Sequence, residues 1–105
     1  MKVENLELHY LSMPEILDVA DGSQDALIVK VEAGGLTGWG ECEASPLTSI
    51  ANYICPKSHS AANPIKRSVI DKDINNLYDI KKIINEVKQK SLMIAQTPRT
   101  FSGIE

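Results

Sequence analysis

At 105 residues, with 43% hydrophobic and 24% charged, the chain has room for one domain with a modest core and not for a barrel of about 250 residues. Its 11 Lys and Arg against 14 Asp and Glu give a net charge of -3, which excludes the basic footprint of a nucleic-acid binder. No apolar core of a signal peptide stands behind a basic start, and no apolar run nears the ~20 residues of a membrane span. The expected compartment is therefore the cytoplasm, with Cys42 and Cys55 as two reduced thiols.

Val3 to Ser12 reads as a first strand, with Leu6, Leu8 and Tyr10 on one face and Glu7 and His9 on the other, His9 as a solvated surface histidine. Residues 13–25 follow as a long connection holding Pro14, Asp18, Asp21, Gly22 and Asp25 around an apolar patch at Ile16, Leu17 and Val19. Connections of this length between adjacent strands are uncommon and are either lids or disordered. Leu27, Val29, Val31 and Ala33 then alternate with Lys30 and Glu32, and Gly34-Gly35 separates this run from a second one ending in Gly38-Trp39-Gly40-Glu41. Two β runs around a glycine pair predict a tight hairpin, because type I′ and II′ turns need the positive φ that glycine supplies. Trp39, the single tryptophan, is expected to be a packing block, with the flanking glycines letting backbone come close.

The stretch Gly35-Leu36-Thr37-Gly38-Trp39-Gly40-Glu41, preceded by an apolar strand and a glycine turn, resembles the amino-terminal capping domain of the mandelate racemase and muconate lactonising enzyme family, in the enolase superfamily. The resemblance implies an α+β fold: a three-stranded antiparallel β-meander followed by a helical segment. It divides residues 1–105 into a meander over 1–53, carrying a lid loop at 13–25, and helices over 63–105. It further implies that the lid loop and the segment after Gly-Trp-Gly-Glu fold over the mouth of a carboxy-terminal TIM barrel and select substrate. By position these implied specificity residues are Ile16, Leu17, Asp18 and Val19 in the first loop and Ser45, Thr48 and Ser49 in the second. The family's catalytic bases and its three magnesium-binding carboxylates sit on barrel strands, so no catalytic residue and no cofactor are assigned to this chain, and magnesium belongs to the full-length family.

Glu41 and Glu43 form an i, i+2 carboxylate pair that shares a face on a strand, which suits acid–base chemistry, half a metal site or, as we read it, a solvent-facing strand end. Cys42, Cys55 and His59 supply three zinc-type ligands but no Cys-x-x-Cys pair, and Cys55 and His59 have no orienting third group, so neither zinc nor a nucleophile pair is read here. Asn63-Pro64 predicts a helix start, with Ile65 and Val69 on its buried face; relatives usually carry a glycine-containing turn near Asp71. After Asn76 as cap and Asp79 near the positive dipole end, Leu77, Ile80, Ile83, Ile84 and Val87 form one apolar stripe expected to cover the sheet. Thr97-Pro98 opens a last helix with Phe101 and Ile104 on its buried face, and Gly103-Ile104-Glu105 looks like the front of the family segment that leads into the barrel. So short a helix is marginal alone, and the chain is expected to be a piece of a longer enzyme.

Two functions follow as expectations. The first is the lid-bearing part of an enzyme that abstracts an α-proton from a small carboxylic acid with magnesium's help, as racemase, cycloisomerase or dehydratase, and that is inert without its barrel. The alternative is a free-standing α+β interaction module. In either case an uncovered apolar surface is expected to make the chain a homo-oligomer.

Overall fold

The computed structural model describes residues 1–19, 23–42, 45–92, 94 and 96–105. Strands β1 (Val3–Leu11), β2 (Ala26–Ala33) and β3 (Leu36–Cys42) form one antiparallel meander in the order β1-β2-β3. The hairpin register closes at Ala33 opposite Leu36, with Gly34 at φ 55° and Gly35 at φ 78°. Both are left-handed, as a type I′ turn requires. Leu27 and Val29 are fully buried, so the apolar parity of β2 faces the core. In β1 the inner-face residues Val3 and Leu6 are three apart, which period-two alternation forbids. A bulge between Val3 and Asn5 inserts the extra residue and brings both onto the inner face.

Trp39 is not the packing block that the sequence suggested. Strand parity puts Cys42 inside and Trp39 outside, where the indole is 63% exposed. It sits beside Lys30, whose Nζ lies 5.9 Å from the ring centroid, and the His9 ring lies 6.0 Å away. The neighbouring Gly40 makes the close approach instead. A Cβ built there would lie 2.0 Å from the Gly103 carbonyl oxygen, while one on Gly38 would meet nothing within 4 Å.

Four helices follow: α1 (Pro46–Ile54), α2 (Ile65–Val69), α3 (Leu77–Lys90) and α4 (Thr97–Ser102). The strands end at Cys42, so α1 fills the last part of the 1–53 stretch expected to be meander. Helix α2 begins one residue after Pro64 and buries Ile65 and Val69 as expected. Helix α3 is capped as expected, Asn76 Oδ1 accepting from the Asp79 amide at 3.0 Å. Its stripe, however, packs mainly on α2 and α4 rather than across the sheet. Only Ile83, Ile84 and Val87 reach the core, and Leu77 at the amino end is 75% exposed. The element seated on the sheet is α4, which lies against β3 and buries Phe101 in the common core. A six-residue helix holds its shape because tertiary packing replaces the length it lacks.

The amino terminus is strapped to residues 71–75. Val3 donates to the Lys72 carbonyl and accepts from the Asp71 amide, both at 2.9 Å, and the Met1 ammonium donates to Asn75 Oδ1 at 2.7 Å. Asp71 stands at φ 65°, the left-handed conformation that a glycine takes at no steric cost. Replacing Asp71 by Gly is expected to raise unfolding free energy by about 0.5 kcal/mol or slightly more, because relief of the left-handed strain outweighs the added chain entropy. A lowered urea midpoint would contradict this. Gly40→Ala is expected to cost about 3 kcal/mol through the clash with Gly103, and Gly38→Ala almost nothing. Equal costs in urea titrations would remove the close approach from the account.

Candidate functional site

Antiparallel pairing brings both loops singled out in the sequence to one end of the sheet. Leu11 at the end of β1 pairs with Ala26 at the start of β2, and Leu27 pairs with Cys42 at the end of β3. The connection after β1 and the segment after β3 therefore leave from the same end of the sheet, opposite the Gly34-Gly35 turn. This is topology alone, and it was not evident from spacing along the chain.

The base of the first loop is closed by Asp25. Its Oδ2 accepts from the Tyr10 hydroxyl at 2.6 Å and its Oδ1 from the Met13 amide at 2.6 Å. The Tyr10 hydroxyl, then the Met13 amide, hold the Asp25 carboxyl below the usual carboxylate range, and Asp25 in turn pushes the Tyr10 phenol up. Higher in the loop the buried Ser23 hydroxyl accepts from the Leu17 amide at 2.6 Å. The backbone is thus tied down while the apolar side chains are not. Ile16 is 56% exposed, Leu17 50% and Val19 59%, with Leu11 and Met13 also exposed beside them. Asp18 is exposed as well. Asp21 and Gly22 lie outside the described residues.

Ser45, Thr48 and Ser49 fall at the start of α1, a helix for which Ser45-Pro46 was the overlooked signal, since proline suits the first helical position. Ser45 is exposed, and its carbonyl accepts from the Ser49 amide at 3.0 Å. Thr48 is half-buried. Ser49 is fully buried, and its hydroxyl accepts from Thr100 Oγ1 at 3.1 Å. Ser45 is therefore open to solvent and Thr48 partly so, while Ser49 points into the molecule. Sequence reading missed Thr100 because an isolated Thr in a short helix carries no spacing signal.

Glu41 is exposed, and Glu43 lies outside the described residues, so the carboxylate pair is not placed. Among the described residues no three His, Cys, Asp or Glu side chains gather as a metal site would need. Cys42 is buried, its thiol pushed up by that burial, and its Sγ donates to the Thr100 carbonyl at 3.0 Å. His59 is exposed and bonded to Ser58. Two hollows were found elsewhere: an apolar cleft of 280 Å³ between α3 and α4, and a polar depression of 620 Å³ along α3. Neither is lined by the two loops. What the described residues of this end present is an open surface with Ile16, Leu17 and Val19 exposed on it.

Searches of protein-family models and of curated proteins found no match. Among solved structures the chain is similar to one described as a predicted mandelate racemase from Rhodobacter sphaeroides, at 50% identity and a TM-score of 0.93. The match takes in 98% of this chain and 26% of that one, so the chain spans about a quarter of its neighbour's length.

The Asp25 clasp has a defined pH dependence. A carboxyl whose folded pKa is depressed contributes stability above its unfolded value of about 3.9 and loses it as pH falls through the folded one. An NMR titration is expected to put the Asp25 midpoint below about 3.9, with the Met13 amide shift following the same midpoint. A midpoint at or above the free value would show that the clasp does not form.

Proposed function

We propose that this chain, which is an N-terminal domain of the enolase superfamily, mandelate racemase-like in sequence and fold, acts as a substrate-covering lid and specificity element for a barrel active site. The observation that carries the reading is that the ends of β1 and β3 lie at one end of the sheet, with Ile16, Leu17 and Val19 left bare on a loop whose base is clasped. Apolar side chains held over a barrel mouth exclude water, which strengthens electrostatic interactions beneath them. Asp18, Ser45 and Thr48 supply polar contacts to the parts of a small carboxylic acid away from its reacting carbon. Ser49 holds α1 from inside. The chemistry in this proposal, α-proton abstraction leading to racemisation, cycloisomerisation or dehydration, lies on the barrel with magnesium, and no step is routed through this segment. By itself the segment is inactive. Two unpaired cysteines and the absence, among the described residues, of any helix able to cross a membrane fit a cytoplasmic enzyme.

The same bare end supports self-association as a second reading, since a contiguous apolar patch without a partner promotes contact between copies. One substitution addresses both. Ile16→Asp, at an exposed position, is expected to move the unfolding free energy by no more than about 0.5 kcal/mol. In a fusion of this chain to the barrel of the Rhodobacter sphaeroides protein, it is expected to slow magnesium-dependent α-proton exchange of a carboxylic-acid substrate by about 10-fold or more. Unchanged exchange would take the loop out of substrate covering. If light scattering then showed an oligomer of the unfused chain dispersed by the same substitution, the second reading would stand in its place.

A further inference from the structure

Apart from Pro46 at its first position, helix α1 has few local devices that fix a short helix. Its nine residues carry no acidic side chain in the first turn, and Ser45 at the cap makes no side-chain capping bond. Isolated helices of this length do not persist in water, so contacts from elsewhere must hold it. Some come from α2 and from the core, which Tyr53 and Ile50 join, and the directional ones are polar and come from α4. Thr100 Oγ1 donates to Ser49 Oγ, and one turn away Asn52 Nδ2 donates to Thr97 Oγ1, each at 3.1 Å. All four residues are at most 4% exposed. The spacing matches on both sides, Ser49 and Asn52 on α1 against Thr97 and Thr100 on α4, three residues apart in each case.

Thr100 also reaches the sheet, because its carbonyl accepts from Cys42 Sγ, and Cys42 pairs with Leu27 at the loop-bearing end. One residue thus ties α1 to the edge from which both loops leave. A wholly apolar contact would hold α1 close but leave its rotation about its own axis weakly set. Hydrogen bonds are directional, and a buried donor or acceptor that loses its partner is costly, so a polar ladder sets rotation as well as distance.

We propose that Thr100, supported by Thr97, is a positioning residue that fixes the rotation of α1 and so aims Ser45 and Thr48 outward from the loop-bearing end. The inference rests on the reading of that end as the covering surface, but its mechanical part stands or falls alone. The test is amide hydrogen exchange by NMR on the 105-residue chain, comparing Thr100→Val and Thr100→Ser with the parent. Thr100→Val is expected to speed exchange of the Ser49 to Asn52 amides by about tenfold or more while the Val29 and Val31 amides stay within about threefold. Thr100→Ser, which keeps the hydroxyl, is expected to restore parent rates. If Thr100→Val does not fold, Ser49→Ala removes the other partner and is read in the same way. Acceleration shared equally by strands and α1, or none in α1, or no rescue by serine, would overturn the proposal. None of those results bears on whether the 13–25 loop covers substrate, which the Ile16→Asp fusion decides separately.

Discussion

The contact between Gly40 and Gly103 governs how this molecule is assembled. With a carbonyl oxygen 2.0 Å from where a Cβ would be, no other residue fits at position 40 without moving α4 off the sheet. Once α4 is seated there, Phe101 enters the core formed with Leu27, Val29, Ile65 and Val87. Thr97 and Thr100 then face α1, and Cys42 meets the Thr100 carbonyl. The sheet, the short helices and the placement of the second loop are thereby coupled through one close approach. A glycine does this better than a large side chain because the energy comes from what its absence of bulk allows to pack.

That coupling explains which parts of the fold could be read from sequence. The hairpin was legible because Gly34-Gly35 is a local signal, and the two positive φ angles are its direct consequence. The caps of α3 and the buried pair Ile65 and Val69 were legible for the same reason. Trp39 misled because a large aromatic is usually a core residue, and the parity of β3, set by the register with β2, decided otherwise. The α3 stripe misled because periodicity says which face is apolar but not what it meets. Leu77 lies past the edge of the core, and no pattern along the helix could reveal that. The bulge in β1 was also invisible, since Leu6, Leu8 and Tyr10 alternate cleanly and only Val3 is out of phase.

The two candidate loops were found by resemblance and gain a physical basis from topology. An antiparallel meander sends the end of β1 and the end of β3 in the same direction, so the connections that follow them start from one end of the sheet whatever their sequence. What the sequence adds is contrast. One loop is apolar and clasped at its base by Asp25, whereas the other is a hydroxyl-bearing first helical turn held from within. In the proposed role the open surface at this end needs a second wall from elsewhere, and the chain matches about a quarter of a longer mandelate racemase-like chain.

The most direct measurement is a crystal structure of the chain fused to such a barrel with a carboxylic acid bound. The account predicts that Ile16, Leu17 and Val19, together with Ser45 and Thr48, lie over the ligand. A structure in which the Trp39 face of the sheet or helix α3 lies over it instead, with the loop end turned to solvent, would contradict the account.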